Sequence, residues 1–416
     1  MKFIADLHIH SKYSRATSSQ ADLEHYAEKA EEKGIDVIGT GDFTHPQWLQ
    51  EIKEKLEPAE PGLFKLKNSK NKTRFILTSE ISCIYSKNGA VRKIHLLVLA
   101  PSTEVVEKIN AQLGWIGNLK ADGRPTLGLD AKELLKIVLN TSKDAMVIPA
   151  HIWTPWFSLF GSRSGFDSLE ECFEEYTKYI YAAETGLSAD PKMCWRVSDL
   201  DKLTLVSNSD AHSPEKLGRE VNVFDTELNY HSIIEAIKNK DKAKFLYTIE
   251  FYPEEGKYHY DGHRNCGVRV SPKEAKKYNN ICPVCGKPLT LGVLHRVEEL
   301  ADREEGFVPP DAIPYKSLIP LKEIIAEALS CGTATKEVEK EYKKLISHFK
   351  NEFNILLNVS FQDLKNITLP EIAQGIIKAR NGEVYIEPGY DGVFGKIRIF
   401  SPQEKQKAPG QTTLFG

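Results

Sequence analysis

Short apolar runs alternate with amphipathic stretches through the first part of the chain. The runs Lys2–Leu7, Val37–Gly41, Phe75–Ile81, Ile94–Ala100, Ala145–Ala150, Tyr181–Thr185 and Thr204–Ser209 have the length expected of buried strands. Helical stretches lie between several of them. In Asp22–Gly34, the residues Leu23, Tyr26, Ala27 and Ala30 fall on one stripe at helical spacing, and Ala131–Leu139 is a second such stretch. Strands alternating with helices predict a parallel α/β sheet. Seven such runs predict a barrel, whose strand C-terminal ends carry the active site.

The pattern divides the chain further. Residues 1–245 hold the strand–helix alternation. Residues 246–305 are rich in Tyr, His and Gly and contain Cys266, Cys282 and Cys285. Residues 306–400 open with helix-like sequence at Leu321–Leu329 and Thr335–Phe353, and close on a turn-rich Gly389–Gly395 before a strand-like Lys396–Phe400. Residues 401–416 form a polar tail with Pro and Gly, expected to be flexible.

Composition narrows the function classes only modestly. Hydrophobic residues are 41% of the 416, enough for large cores, and the formal charge of -3 gives no global basic signature. A local basic groove remains open to the chain. No apolar run approaches the ~18 residues of a membrane span, and the N-terminus does not resemble a signal peptide. Seven scattered cysteines do not make a disulfide scaffold, so a cytoplasmic location is expected.

Most predicted strands end in a potential metal ligand. The first runs into Asp6-Leu7-His8-Ile9-His10, where alternation puts both histidines on one face. The others reach Asp42 and His45, Glu80, His151, and Asp210 with His212, while His95 starts the fourth run. Mixed imidazole and carboxylate ligands suit Zn, Mn or Fe. So many ligands imply two or three divalent ions, and clustered ions suit phosphoryl transfer.

These motifs resemble the PHP (polymerase and histidinol phosphatase) superfamily across residues 1–245. The resemblance implies a distorted (β/α)7 barrel with a multinuclear centre of Zn, Mn, Mg or Fe. It implies that His8, His10, Glu80 and Asp210 hold one metal pair and carry the catalysis. His95 and His151 then join a further ion through a bridging Glu80, and His212 completes the set. The chain departs from the family where Phe43 follows Asp42, and His45 is taken as the substitute ligand. It departs again at Tyr13-Ser14-Arg15, where an acid or His is common.

A second constellation is independent of the first. Cys282-Pro-Val-Cys285-Gly286 is a zinc knuckle, in which a tight turn aims two thiolates at one ion. Cys266 supplies a third ligand, and either His263 or His259 the fourth. One structural Zn lets such a short segment fold.

The barrel, the zinc module and the C-terminal segment together resemble the endonuclease Q family. The stretches that carry this are Met1–Ser14, Gly39–Trp48, Asn118–Asp130, Thr185–Pro191 and Tyr258–Arg303. The resemblance implies a DNA-repair endonuclease that cuts 5′ to hypoxanthine, uracil, xanthine or an abasic site. The alternative is a small-molecule phosphatase of the histidinol-phosphate type. Candidate substrate contacts are Trp153, Trp156, Phe157 and Arg163 in the loop after His151, Asn118 and Arg124 in a second loop, and Asp190. In the tail, Gln411, Leu414 and Phe415 resemble a clamp-binding PIP box, which implies a sliding clamp (PCNA) as a partner besides damaged DNA.

Overall fold

All seven expected strands are present in the computed structural model of the protein, which describes residues 1–401. The first strand, Lys2–Asp6, pairs in parallel with Val37–Gly39 and antiparallel with Val221–Asp225. From there the sheet extends both ways. Val37–Gly39 pairs with Arg74–Lys87, while Val221–Asp225 pairs with Phe245–Glu250, to which Tyr315–Ser317 adds an edge.

The sheet is not purely parallel. Arg74–Lys87 turns back on Ala90–Ala100 as a long antiparallel hairpin. Its turn contains Asn88 and Gly89, at φ 55° and 73°. Asn-Gly is the pair that tolerates two successive positive φ values in a tight hairpin. The reversal has a chemical result: His95 lies opposite Ser82, and its Nδ1 comes 2.7 Å from Glu80 Oε1.

Nor do the ladders close into the expected (β/α)7 cylinder. Among the described residues, Ala182–Glu184 and Thr204–Val206 pair only with each other. Ala5, Val37, Ile76, Leu97, Ile148, Ala182 and Val206, one from each of the seven strands, nonetheless meet in one buried cluster. The strands therefore curve around a shared interior with two interruptions. Side chains bridge the first. Leu7 N–H donates to Asn208 Oδ1 (2.8 Å), Ser209 N–H to Asp6 Oδ1 (3.0 Å) and Ser207 N–H to Asn222 Oδ1 (3.0 Å). At the second, Ile152 N–H donates to the Glu184 carbonyl (3.0 Å). A buried backbone group without a partner costs about 1–3 kcal/mol, so these polar side chains stand in for a ladder.

The helices follow their stripes. Leu23–Lys33 starts at Asp22, whose side chain accepts from His25 N–H, and stops at Gly34 with φ 86°. It buries Leu23, Tyr26, Ala27 and Ala30, as expected. The C-terminal unit has five helices: Leu321–Ala328, Lys336–Phe349, Glu352–Leu357, Phe361–Ile367 and Pro370–Arg380. The single helix expected over Thr335–Phe353 breaks at Lys350, at φ 78°, and Asn351 caps the next one. This unit shares its core with the outer layer of the strand–helix part. No described helix is long and apolar enough to cross a membrane.

One buried carboxylate organises that unit. Glu352 accepts from Leu321 N–H (3.0 Å) and from the Tyr342 hydroxyl (2.8 Å). Tyr342→Phe removes one donor from a buried charge and is expected to cost about 1–3 kcal/mol. Urea unfolding followed by circular dichroism checks this, and an unchanged midpoint would show that the pair contributes nothing.

Candidate metal centre

Six of the expected ligands come together at one end of the strands: His8, His10, Glu80 and Asp210 in one group, and Glu80, His95 and His151 in another. His8 and His10 follow the first strand and are fully buried. Between them, Ile9 bridges to Ala211, and His10 N–H donates to the Ala211 carbonyl at 2.9 Å. That bridge clamps the first motif to the last. His151 and Asp210 sit at φ 31° and 47°, and Asp42 at 48°. Non-glycine residues reach this left-handed region at a cost, which the surrounding contacts must offset.

Glu80 joins the two groups. Its Oε2 is 3.2 Å from His10 Nε2 and 3.7 Å from His8 Nε2. Its Oε1 is 2.7 Å from His95 Nδ1 and 2.9 Å from His151 Nε2. Asp210 Oδ1 is 3.0 Å from His10 Nε2 and 3.7 Å from His8 Nε2. Three of these atoms, His8 Nε2, His10 Nε2 and Asp210 Oδ1, are buried without a hydrogen-bond partner. Orphaned polar atoms converging on one point are costly unless a cation completes them. The donor set fits two divalent ions sharing Glu80.

The surrounding carboxylates favour positive charge at this point, which a bound cation would supply in place of the ring protons. Burial pushes His8 and His10 down, yet the carboxylates of Glu184, Glu80 and Asp210 around His8, and of Asp42, Asp210 and Glu80 around His10, reverse this and hold both well up. Burial pushes the Glu80 and Asp210 carboxyls up, but the neighbouring histidines, with Arg124 at Glu80, hold them down. His95 is driven down to about 4 by burial, despite Glu80, and so stays a neutral imidazole.

A second layer fixes the ring orientations. His8 Nδ1 lies 3.0 Å from both Glu184 oxygens, and His10 Nδ1 lies 3.0 Å from Asp42 Oδ1. A carboxylate on the far ring nitrogen sets the tautomer and leaves Nε2 as a lone-pair donor. Glu184 also accepts from His151 N–H (2.9 Å) and Asn208 Nδ2 (2.8 Å). Asp42 Oδ2 accepts from Ser11 N–H and Oγ–H (both 2.7 Å) and from Ser14 Oγ–H (2.8 Å). Sequence reasoning missed Glu184, although an acid at the end of an apolar strand run was its visible signal.

The remaining site candidates are placed as follows. His45 is in neither ligand group: it N-caps a helix, stacks on Tyr13 at 4.4 Å and keeps Nδ1 unpartnered. His212 is also outside both groups, with its ring 4.5 Å from that of His10 and Nδ1 on the Asp210 carbonyl at 2.8 Å. Arg124 Nη1 donates to Glu80 Oε2 at 3.0 Å. Asn118 half-lines an adjacent groove and accepts from Lys120 N–H at 3.0 Å. Trp153 is 1% exposed and donates to Cys194 Sγ, so its ring belongs to the core and is closed to a base. Trp156 is 50% exposed beneath Lys93, and the Phe157 ring lies 4.8 Å from His95. Arg163 is exposed. Asp190 is buried and caps the helix Pro191–Cys194, with Lys192 Nζ at 3.1 Å.

His263, Cys266, Cys282 and Cys285 form a separate group, with Cys285 Sγ 3.6 Å from His263 Nδ1. His263 is therefore the fourth member, while His259 is buried outside it. The local apolar core is only Ala275, Cys282 and Leu289. A core this small needs the ion that these ligands fit. The tail residues Gln411, Leu414 and Phe415 lie outside the described residues.

Comparison with known proteins is consistent with this geometry. A family model described as PHP-associated matches residues 194–241, and one described as MJ0043 C-terminal domain matches residues 320–383. The uncharacterized protein YqxK of Bacillus subtilis is 30% identical over 419 residues, covering 95% of this chain and 99% of that protein. The uncharacterized protein MJ0043 of Methanocaldococcus jannaschii is 37% identical over 270 residues, covering 63% of this chain. The match spans 33% of that relative's length. The crystal structure of the lesion-specific endonuclease PfuEndoQ from Pyrococcus furiosus matches with a TM-score of 0.86 at 33% identity, over 98% of this chain and 97% of that one. Endonuclease Q in complex with a 27-mer duplex carrying an abasic lesion at the active site matches with a TM-score of 0.83 at 32% identity, over 98% of each chain.

Two outcomes follow from the site. Glu184→Gln keeps the size but removes the charge behind His8, and is expected to weaken metal retention about 10–100-fold. Calorimetric titration of metal into the stripped variant measures it, and wild-type affinity would take Glu184 out of the metal's support. Cys282→Ser is expected to lose one equivalent of Zn and to melt at a lower temperature, with the ions of the histidine–carboxylate groups retained. Elemental analysis showing full Zn content would refute the cysteine site.

Proposed function

The chain belongs to the endonuclease Q family of metal-dependent nucleases, and we propose that it is a DNA-repair endonuclease hydrolysing the phosphodiester 5′ to a deaminated base (hypoxanthine, uracil or xanthine) or an abasic site. The observation that carries this reading is the pair of ligand groups joined by Glu80, with its three orphaned buried atoms. Divalent ions held there supply the Lewis acidity that phosphodiester hydrolysis uses to activate water and stabilise the leaving oxygen.

The chain's own residues then have distinct tasks. Asp42 and Glu184 hold His10 and His8 in the ligating tautomer. Arg124 spends one guanidinium nitrogen on Glu80, and its remaining donors are matched to a phosphate oxygen. Trp156, half exposed, and Phe157 at His95 give an aromatic mouth against which an extruded nucleotide can rest, and Arg163 adds charge. Asn118 lines a groove with Thr44 and Pro46 that is matched to a flanking strand, and Asp190 caps the short helix that follows the Glu184 segment.

A small-molecule phosphatase is the weaker reading. Such a substrate needs only the metal pocket, whereas the likeness to endonuclease Q runs through the cysteine module and the helical unit, over 98% of the chain. The abasic duplex held by one of these relatives supports DNA as the substrate. The tail at Gln411, Leu414 and Phe415 is read as a tether to a sliding clamp, which raises local concentration on DNA without touching the lesion.

The test is an end-labelled duplex with one inosine, uracil or abasic site, incubated with Mn, Mg or Zn beside a small phosphomonoester. The expected product is one nick, mapped immediately 5′ to the damaged nucleotide and abolished by Asp210→Asn. Turnover of the phosphomonoester with intact duplex would establish the phosphatase instead.

A further inference from the structure

Tyr385–Glu387 and Lys396–Arg398 form a hairpin whose connecting loop, Pro388–Gly395, packs on the cysteine module. The loop is held by its backbone. Gly389 N–H donates to the Glu254 carbonyl (2.8 Å), Gly395 N–H to that of Glu255 (3.0 Å), and Gly392 N–H to that of Lys257 (2.8 Å). Tyr260 N–H donates back to the Gly389 carbonyl at 2.9 Å. Asp391 accepts from Arg264 N–H (2.7 Å) and the Thr290 hydroxyl (2.6 Å). A side chain at Gly389 or Gly395 would collide with the Gly256 or Glu254 carbonyl, so only glycine permits this approach.

A loop fixed in this way nevertheless presents bare aromatic surface. Phe394 is 69% exposed, and Tyr258 beside it 43%. Lys257 Nζ lies 5.5 Å from the Phe394 ring centre and 5.8 Å from that of Tyr258. Lys257 and Arg264 are exposed, and among the described residues no carboxylate lies within ion-pair distance of either. The loop's own acid, Asp391, is occupied by Arg264 N–H and Thr290. Rigid aromatics flanked by unpaired cations match a nucleic-acid strand, with phosphates for the cations and a base or sugar face for the rings.

A run of ion pairs leads from the patch toward the metal centre. Glu254 Oε1, on the segment that anchors the loop, is 3.4 Å from Lys192 Nζ, which is 3.1 Å from Asp190 Oδ2. Asp190 closes the segment that begins at Glu184, the partner of His8.

We infer that Phe394 and Tyr258, with Lys257 and Arg264, form a second DNA contact that grips the duplex flanking the damaged nucleotide. This rests on the endonuclease reading. The aromatics supply contact indifferent to sequence, and the two cations supply salt-dependent phosphate binding.

The test uses the full chain, loaded with metal, and the variants Phe394→Ala, Lys257→Ala and Arg264→Ala. Fluorescence polarisation measures binding to an undamaged duplex over a salt series, and nicking of a duplex with one abasic-site analogue gives kcat and KM. Each cation variant is expected to lower the slope of log affinity against log salt by about one. Phe394→Ala is expected to weaken binding about tenfold. All three should raise KM with little change in kcat, and keep the wild-type Zn content and melting temperature. Wild-type affinity, salt slope and KM in all three variants would overturn the inference, as would variants that lose only association with another protein. A wild-type chain that binds duplex through these residues but nicks none of the damaged substrates would overturn the endonuclease reading and leave the contact standing.

Discussion

The carboxylate of Glu80 is the constraint on which the site depends. Its Oε2 faces the two imidazoles that follow the first strand, its Oε1 faces His95 and His151 from two other segments, and a guanidinium sits on Oε2. A negative charge this deeply buried is tolerable only because cationic or ligating groups surround it. Folding the chain so that four segments converge on one carboxylate concentrates charge where water is largely absent. The same arrangement makes the pocket selective for cations. It also explains why backbone strain collects at His151 and Asp210, where the chain must turn its ligands inward.

Much of this was legible in the sequence because the ligands recur in phase with the apolar runs. His8 and His10 are two residues apart on an extended segment, so alternation alone places them together. The seven strand runs were readable for the same reason. Direction was harder to read. The strand–helix alternation pointed to parallel pairing, whereas the Asn88-Gly89 pair turns the chain back into an antiparallel hairpin. Val221–Asp225 and Phe245–Glu250 lie beyond the last ligand motif, so no ligand marks them as strands of the same sheet. Glu184 was missed because supporting residues need no recurring spacing: a carboxylate can reach His8 from any neighbouring strand. His45 attracted attention as a histidine beside Asp42, yet the chain there enters a helix and turns the ring against Tyr13.

The interrupted sheet and the cysteine module solve the same physical problem by different means. At the strand gaps, Asn208, Asn222 and Asp6 satisfy backbone groups that a continuous ladder would pair. In the module, a Cys–His group that fits an ion supplements an apolar core of three buried residues. Both devices trade regular structure for specific polar contacts, and both lie where the chain must present chemistry rather than bury surface. Such regions depend on a few named bonds, so single substitutions there act more sharply than in the broad cores.

The docking of Pro388–Gly395 on the cysteine module has a consequence for the order in which the molecule is completed. Asp391 bonds to Arg264 across 127 positions of sequence, and to Thr290 across 101. During synthesis the metal ligands and the cysteines emerge well before the loop that finishes the module's surface. Folding of domains proceeds broadly as they appear from the ribosome. The ligand residues and the cysteines are therefore synthesised before the loop that covers the module, and the molecule becomes whole only when its late segment folds back onto its middle.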